Sequence, residues 1–501
     1  NWFDLNASRY TASSTLQRME LLKTGYMGTL SLGWDNYLFL ELTGRQERSS
    51  TLKDQSFFYP SANLSFLFSN AFRMPAWWNH GKLRLSYGVV GNAPETYAAN
   101  IIYEQGSDNG FTWNYVPSSW GNANIRPEKK YEYEIGFESK FLNNRLGFDV
   151  SYYNNRVKDQ ILSTPQPSTS GVKYVLMNVG EVANEGWDIS VSATPVLTKN
   201  FRWDLTANYG IYRNKVVKLA DGVPYLEISN IGGGGAKIQA VEGRPMGDIY
   251  VQVPQMNENG EYLVSDKGLY MNQTELQRVG NINPDGVGGL FSSFSYKNIF
   301  LDFSIDFRIG GDVINEMYQY STASGLTPES LQFRDTEHGG LSYYYPGNNN
   351  ASGVPVQVDP SLGAGPNGET VYHDGVILPG VVASTGEKNT RIIPAGYYYN
   401  QTYNWGTQPE QLTYRHSVFD NSYVKLRELT IGYQFPEKLI SKLGMTRLSV
   451  SVFGRNLFYF YKALKNYDAE SSVGTSWASQ AVVGGSTTAT RNFGVSLRAS
   501  F

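Results

Sequence analysis

The chain has 501 residues, 17% charged and 14% aromatic, with 51 Gly, 36 Tyr, no Cys and a formal net charge of −3. Average chains carry about 25% charged residues, yet mean hydropathy here is −0.37, so the chain is polar without being charged. These values exclude a disordered chain, a helical membrane protein, which needs about 18 consecutive apolar residues, and a Cys-stapled or Cys-ligated fold. The charge balance gives no reason to expect nucleic acid.

Length alone suggests roughly three soluble domains, but no Pro-rich, Ser-rich or charged spacer divides the chain. The absence of Cys suits an oxidising or extracytoplasmic place. The chain starts at Asn1 without a Met or signal peptide, which reads as a removed leader or a piece of something longer.

The dominant period is two, the mark of strands with one apolar face. Tyr26–Trp34 and Tyr37–Thr43 flank Asp35-Asn36, a pair that tolerates the positive φ of a tight hairpin. Tyr131, Tyr133, Ile135 and Phe137 face one way and Glu132, Glu134 and Glu138 the other. After Asn143-Asn144 the chain returns with Leu146, Phe148, Val150 and Tyr152 opposite Arg145, Asp149 and Ser151. Trp187, Ile189, Val191 and Ala193 alternate with Asp188, Ser190, Ser192 and Thr194. Phe201–Ile211 carries Arg202, Asp204, Thr206 and Asn208 on its polar side. Lys297-Asn298 precedes Ile299, Leu301, Phe303, Ile305, Phe307 and Ile309, which alternate with Phe300, Asp302, Ser304, Asp306 and Arg308. The last such run is Phe493, Val495, Leu497, Ala499 and Phe501 against Asn492, Gly494, Ser496, Arg498 and Ser500.

About fourteen such strands of about ten residues are expected. Short turns fall near 35–36, 70–80, 143–144, 198–200, 297–298 and 436–446, and long segments at 12–23, 45–59, 91–128, 157–178, 213–288, 310–420 and 459–489. Short turns at one end and long loops at the other are the pattern of a transmembrane antiparallel β-barrel with an apolar lipid face and a polar lumen. A soluble sandwich or propeller does not require that segregation. Aromatic strand ends such as Tyr433, Phe435, Phe458, Tyr459, Phe460 and Tyr461 fit interfacial girdles. With periplasmic short turns and an even strand count, the C-terminus falls on the periplasmic side. Residues 1–501 then read as part of one barrel, with long outer loops at about 91–128, 213–288, 310–420 and 459–489.

Several stretches resemble the C-terminal half of SusC-like (RagA-like) TonB-dependent transporters of the Bacteroidota outer membrane. They are FFYPSANLSF at 57–66, KLRLSYGVVGN at 82–92 and NIRPEKKYEYEIGFESKFLNNRLGFDVSYYNNRVKDQIL at 124–162. They continue with MNVGEVANEGWDISVSATP at 177–195, VGNINP at 279–284 and FSYKNIFLDFSIDFRIGGDV at 294–313. NSYVKLRELTIGYQFPEKLISKLGM at 421–445 then leads into VSVFGRNLFYF at 450–460. The resemblance implies a 22-stranded barrel with an N-terminal plug, TonB energisation, a SusD-like surface lipoprotein over the outer mouth, and import of oligosaccharides or, in some members, peptides. On that basis the remaining strands, the plug and the TonB contact belong to an N-terminal portion outside this chain. The family's Asp-rich calcium-site-like loop has only a faint echo in NENG at 257–260, without the carboxylates calcium needs.

No catalytic, cofactor or metal site is read. The four His form no zinc-spaced motif, and no G-x-S-x-G elbow appears. Glu132 and Glu134 read as solvated barrel wall rather than a glycosidase pair, and Gly232–Gly235 as a flexible turn. Arg202, Asp204, Asp302, Asp306 and Arg308 are the lumen-facing polar candidates. The aromatic loop residues Tyr97, Tyr103, Trp113, Tyr115, Trp120, Tyr343, Tyr344, Tyr397, Tyr398 and Trp405 suit solute stacking, lipoprotein docking or packing of loop on loop. Two other functions stay open: a self-contained passive porin, and a secreted all-β carbohydrate-active enzyme.

Overall fold

The computed structural model describes residues 18–53, 56–100, 102–108, 111–167, 169, 171–404, 413–485 and 489–501. Its frame is one antiparallel sheet of thirteen strands in sequence order. They are β1 (Lys23–Trp34), β2 (Leu38–Ser49), β3 (Ser56–Phe66), β4 (Trp78–Asn92), β5 (Glu128–Phe141), β6 (Leu146–Lys158) and β7 (Glu181–Leu197). The sheet continues through β8 (Phe201–Lys218), β9 (Gly286–Tyr296), β10 (Ile299–Ile309), β11 (Tyr423–Gln434), β12 (Arg447–Lys462) and β13 (Asn492–Ser500). Among the described residues β1 and β13 are its two edges and do not pair with each other. No described helix is long and apolar enough to cross a membrane, which says nothing about crossing with strands.

Register fixes the faces, because residues directly opposite in an antiparallel pair point to the same side. Leu205 faces Ala193, Leu301 faces Phe294 and Ile431, and Val452 faces Val495. These apolar positions line one face along the whole sheet, and they are not covered: Leu30, Leu85, Ile135, Trp187, Ile431, Val452 and Leu497 are all exposed. A folded soluble protein rarely leaves a patch this large uncovered, and the opposite face is mostly polar, with Val287, Phe291 and Phe300 among its exceptions.

The expected hairpin turns form for the expected reason. Asp35 and Asn36 have φ of 47° and 57°, Asn143 and Asn144 of 58° and 62°, and Lys297 of 51°. All six expected short connections lie at one end of the sheet, two of them containing single-turn helices at Phe68–Ala71 and Glu437–Ile440. The expected long segment at 45–59 shrinks to 50–55, because β2 and β3 pair out to Arg48 and Ser56. The wall sheet has thirteen described strands rather than about fourteen, so the parity argument for the C-terminus does not stand. The trace supplies its own answer: β12 rises from a short turn, and β13 returns to that same end.

The other end carries most of the buried core. The connections 219–285, 310–422 and 463–491 fold together into a cap. Ile231, Ile238, Ile249 and Val251 of the first meet Ile314, Tyr414 and Val418 of the second, and Ala478, Ala481 and Val482 of the third. Burying each such aliphatic side chain contributes about 1.5–3 kcal/mol over leaving it exposed. Small ladders cross the connections as well, with Val313 facing Phe419, and Ile314 pairing in parallel with Val482. Helices α1 (Glu316–Ala323) and α2 (Ala395–Tyr403) complete the cap, and Asn315 caps α1 by accepting from the Tyr318 backbone N–H at 2.9 Å. Gly232–Gly234 is a tight helical turn set against the fully buried Tyr414, not a flexible turn.

Candidate functional site

The polar face of the wall follows from the same alternation. Arg202 Nε bonds Asp204 at 2.6 Å, and Thr194 Oγ1 donates to Asp204 at 2.7 Å. Asp302 accepts from Ser293 Oγ at 2.5 Å. Asp306 is held by the Arg427 guanidinium, with Nε at 3.1 Å. Arg308 donates Nε to the carbonyl of Gly310 at 3.2 Å and Nη2 to that of Ile282 at 2.9 Å. All five sequence candidates therefore sit on the polar face, each partnered locally. Glu132 accepts from Asn155 Nδ2 at 3.1 Å and pairs with Lys130, as a solvated wall residue would.

Further polar residues join them. Arg84 reaches Asp149 at 2.6 Å, Ser151 at 3.1 Å and Glu138 at 3.4 Å. Its position in KLRLSYG, between Leu83 and Leu85, carried the period-two signal that places it inward. Arg427 carried no such signal, because it occupies a bulge where the pairing of β11 slips on both sides. It binds Glu470 from the 463–491 connection at 2.9 and 2.6 Å, and Lys425 Nζ reaches the same carboxylate at 2.5 Å. A cavity of about 670 Å³ opens on this face, with Arg84, Asp149, Asp188, Tyr212, Asp306 and Arg308 among its walls.

The aromatic candidates divide. Tyr343 is buried in the cap and donates to Asp374 Oδ1 at 3.1 Å; burial and that carboxylate push its phenol above the ordinary range. Tyr398 is largely covered, packs on Tyr399 and is raised by burial too. Tyr344 is half-buried and Tyr397 exposed. For Tyr343 and Tyr398, packing of loop on loop is what the structure shows. Tyr103, Trp113 and Tyr115 are exposed, the last two on a hairpin of Glu104–Asp108 with Phe111–Tyr115, where Tyr115 bonds Glu104. Tyr97 is exposed with a φ of 66°, and its hydroxyl accepts the Glu20 backbone N–H at 3.3 Å. Trp120 is half-buried and pairs with Val175. Trp405 lies outside the described residues. Of the aromatic strand ends, Tyr433, Phe458, Phe460 and Tyr461 are exposed, while Tyr459 turns to the polar face and donates to Asp468 at 2.5 Å. Among the described residues no three His, Asp or Glu converge as metal ligands do. The arrangement offers hydrogen bonds and fixed charges around a cavity on one face of the sheet.

Comparison with known proteins agrees with that geometry. Residues 4–249 match the family model "TonB dependent receptor-like, beta-barrel". The chain is similar to SusC- and RagA-like TonB-dependent receptors. TonB-dependent receptor P3 of Formosa agariphila is 22% identical over 494 residues, 89% of this chain and 42% of the relative. TonB-dependent receptor SusC of Bacteroides thetaiotaomicron is 27% identical over 256 residues, 45% of this chain and 24% of the relative. Among solved structures, the RagAB peptide transporter superposes with a TM-score of 0.70 at 18% identity, covering 98% of this chain and 49% of that one. At that identity the likeness speaks for the fold. The chain spans less than half the length of these relatives.

Proposed function

We propose that this chain forms part of the wall and outer cap of a TonB-dependent importer of the outer membrane. The observation that carries the reading is the uncovered apolar face that runs across all thirteen strands, backed by a mostly polar face with a cavity of about 670 Å³. Lipid satisfies the first and a water-filled conduit needs the second. The long connections then lie outside, and the short turns and the end of β13 face the periplasm. Further strands and a plug, from the portion that the relatives have in addition, complete the barrel and gate it through TonB. A SusD-like surface lipoprotein docks on the cap. The solute is a short polar nutrient, an oligosaccharide or a peptide; burial of Tyr343 and Tyr398 leaves fewer free aromatic surfaces for sugar stacking than the sequence promised.

The alternatives fare less well. A passive porin made of this chain alone needs β1 to pair with β13, and a bilayer does not tolerate an open edge. A secreted enzyme would bury Val495 and Leu497, which are 71% and 69% exposed. The test is uptake by cells carrying the intact transporter. Uptake that stops when the proton gradient is collapsed, with the protein in the outer-membrane fraction, is expected. Uptake that continues without the gradient would support the porin, and recovery in a detergent-free soluble fraction would support the enzyme.

A further inference from the structure

The wall cavity has an uneven charge pattern. Arg84 is committed to Asp149, and Asp306 to Arg427. Two charges remain without an ion pair among the described residues. Asp188 is exposed on the polar face and receives only the Tyr212 hydroxyl at 3.2 Å. Arg308 is fixed by two main-chain carbonyls, with no carboxylate in contact; Asp312 and Asp420 act on it only through space.

These two residues lie on one rung of the sheet. Asp188 pairs with Gly210, Gly210 with Val287, and Val287 with Arg308. Three steps between strands at about 4.8 Å put their backbones about 14 Å apart. The floor between them is formed by apolar surface: the Tyr212 ring lies over Gly210, with its hydroxyl 2.5 Å from where a Cβ would stand, and Val287 shares the rung and lines the same cavity. An Arg on a fixed fork suits a carboxylate, and an uncommitted Asp suits an ammonium.

We infer that this trough binds a short zwitterionic peptide across the strands, its carboxylate on Arg308 and its terminal ammonium on Asp188. An extended chain advances about 3.3 Å per residue, so the span fits roughly three or four residues. A neutral oligosaccharide of the same length would leave both charges unanswered, which is costly wherever water is excluded. The inference rests on the import reading and narrows its solute.

The test uses the intact transporter with tetraalanine, its N-acetyl form, its C-terminal amide, and maltotetraose. Each cap removes one charged hydrogen-bonding contact, so it is expected to weaken binding about tenfold or more. Asp188→Asn should weaken free tetraalanine by a similar factor and leave the N-acetyl form unchanged. Arg308→Gln should do the same for the carboxylate end, and the capped peptides read that contact on the unaltered protein if this variant does not fold. Equal binding of free and capped peptides, or displacement of tetraalanine by maltotetraose, would overturn the inference while leaving import intact. So would variants with lower thermal stability and unchanged peptide binding, which would assign the two charges to a lumen-filling portion of the transporter. If loss of the gene leaves uptake of both probes unchanged, the import reading fails, and the inference with it.

Discussion

The guanidinium of Arg427, on wall strand β11, grips the carboxylate of Glu470, forty-three residues along the chain, through Nη1–Oε2 at 2.9 Å and Nη2–Oε1 at 2.6 Å. Glu470 belongs to the 463–491 connection, so this pair and the Lys425 contact pin that connection to the polar face of the wall. Glu470→Ala leaves the Lys425 ammonium, with a side chain only 3% exposed, without its counter-charge. Breaking a buried pair from one side costs about 3–5 kcal/mol. Partial exposure of Arg427 and Glu470 lowers the expected cost to about 2 kcal/mol. Hydrogen exchange should quicken across 463–485 and stay unchanged in β4–β6; equal exchange in both would show that the pair does not hold the connection.

Gly232 has a φ of 58°, and a Cβ there would fall 1.6 Å from Tyr414 Oη. Gly232→Ala must push Tyr414 out of a fully buried site, in addition to straining the backbone. An overpacked core site costs about 1–3 kcal/mol, and a non-Gly residue at this φ adds about 1 kcal/mol. A lower melting temperature of the cap is expected, read by proteolysis of the long connections. Gly222→Ala, at a similar φ but in open space, should cost only the backbone strain.

His416 packs at a tilt against Tyr403 at 5.4 Å and is half-buried, with its Nε2 atom enclosed and unpaired among the described residues. Burial and the neighbouring Arg415 charge hold its pKa below the ordinary 6.5. The unfolded cap therefore takes a proton near pH 6.5 that the folded cap refuses. Stability from this residue is present above that value and falls as pH drops from 6.5 towards the folded pKa. Asp312 and Glu316 are raised by burial and act with the opposite sign, gaining stability as pH falls through their raised range. The readout is therefore a difference. His416→Phe should lose less cap protection between pH 7 and pH 5 than the unaltered protein, by hydrogen exchange at 413–420. Identical pH profiles would remove His416 from the account.

Ile431 and Thr430 are neighbours on β11 that face opposite ways. Ile431 is 54% exposed on the apolar face, so its environment is whatever surrounds the sheet. Ile431 stands three residues from the short-turn end of β11, between midplane and interface, so Ile431→Arg in a bilayer should cost about 1–2 kcal/mol, and Thr430→Arg on the polar face far less. Outer-membrane assembly, followed by heat-modifiable gel mobility, should drop for the first and hold for the second. Equal mobility would contradict a lipid-facing Ile431.

Much of the wall was legible because lipid and lumen impose period two on every strand. Ile299–Ile309 and Trp187–Thr194 show this directly, and Asn143-Asn144 marks a turn by its own φ preference. The cap was not legible. Ile238, Ile314 and Val482 come from three connections, and nothing local announces that they meet. The aromatic candidates failed for a related reason, since a Tyr-rich loop reads alike whether its rings meet solute or, like Tyr343, its own fold. Arg427 escaped because a bulge shifts the alternation by one. Asp188 stood plainly on the polar side, yet its importance depends on which charges find partners across strands, which only the register discloses.

The shared core of the cap also has a mechanical meaning. A ligand or partner that moves one of its three long connections cannot move that one alone without tearing Ile314 or Val482 away from Ile231 and Ile249. The outer end should respond as a single panel rather than as independent fingers. Variants placed far apart in it would then report one common opening event, with the same midpoint.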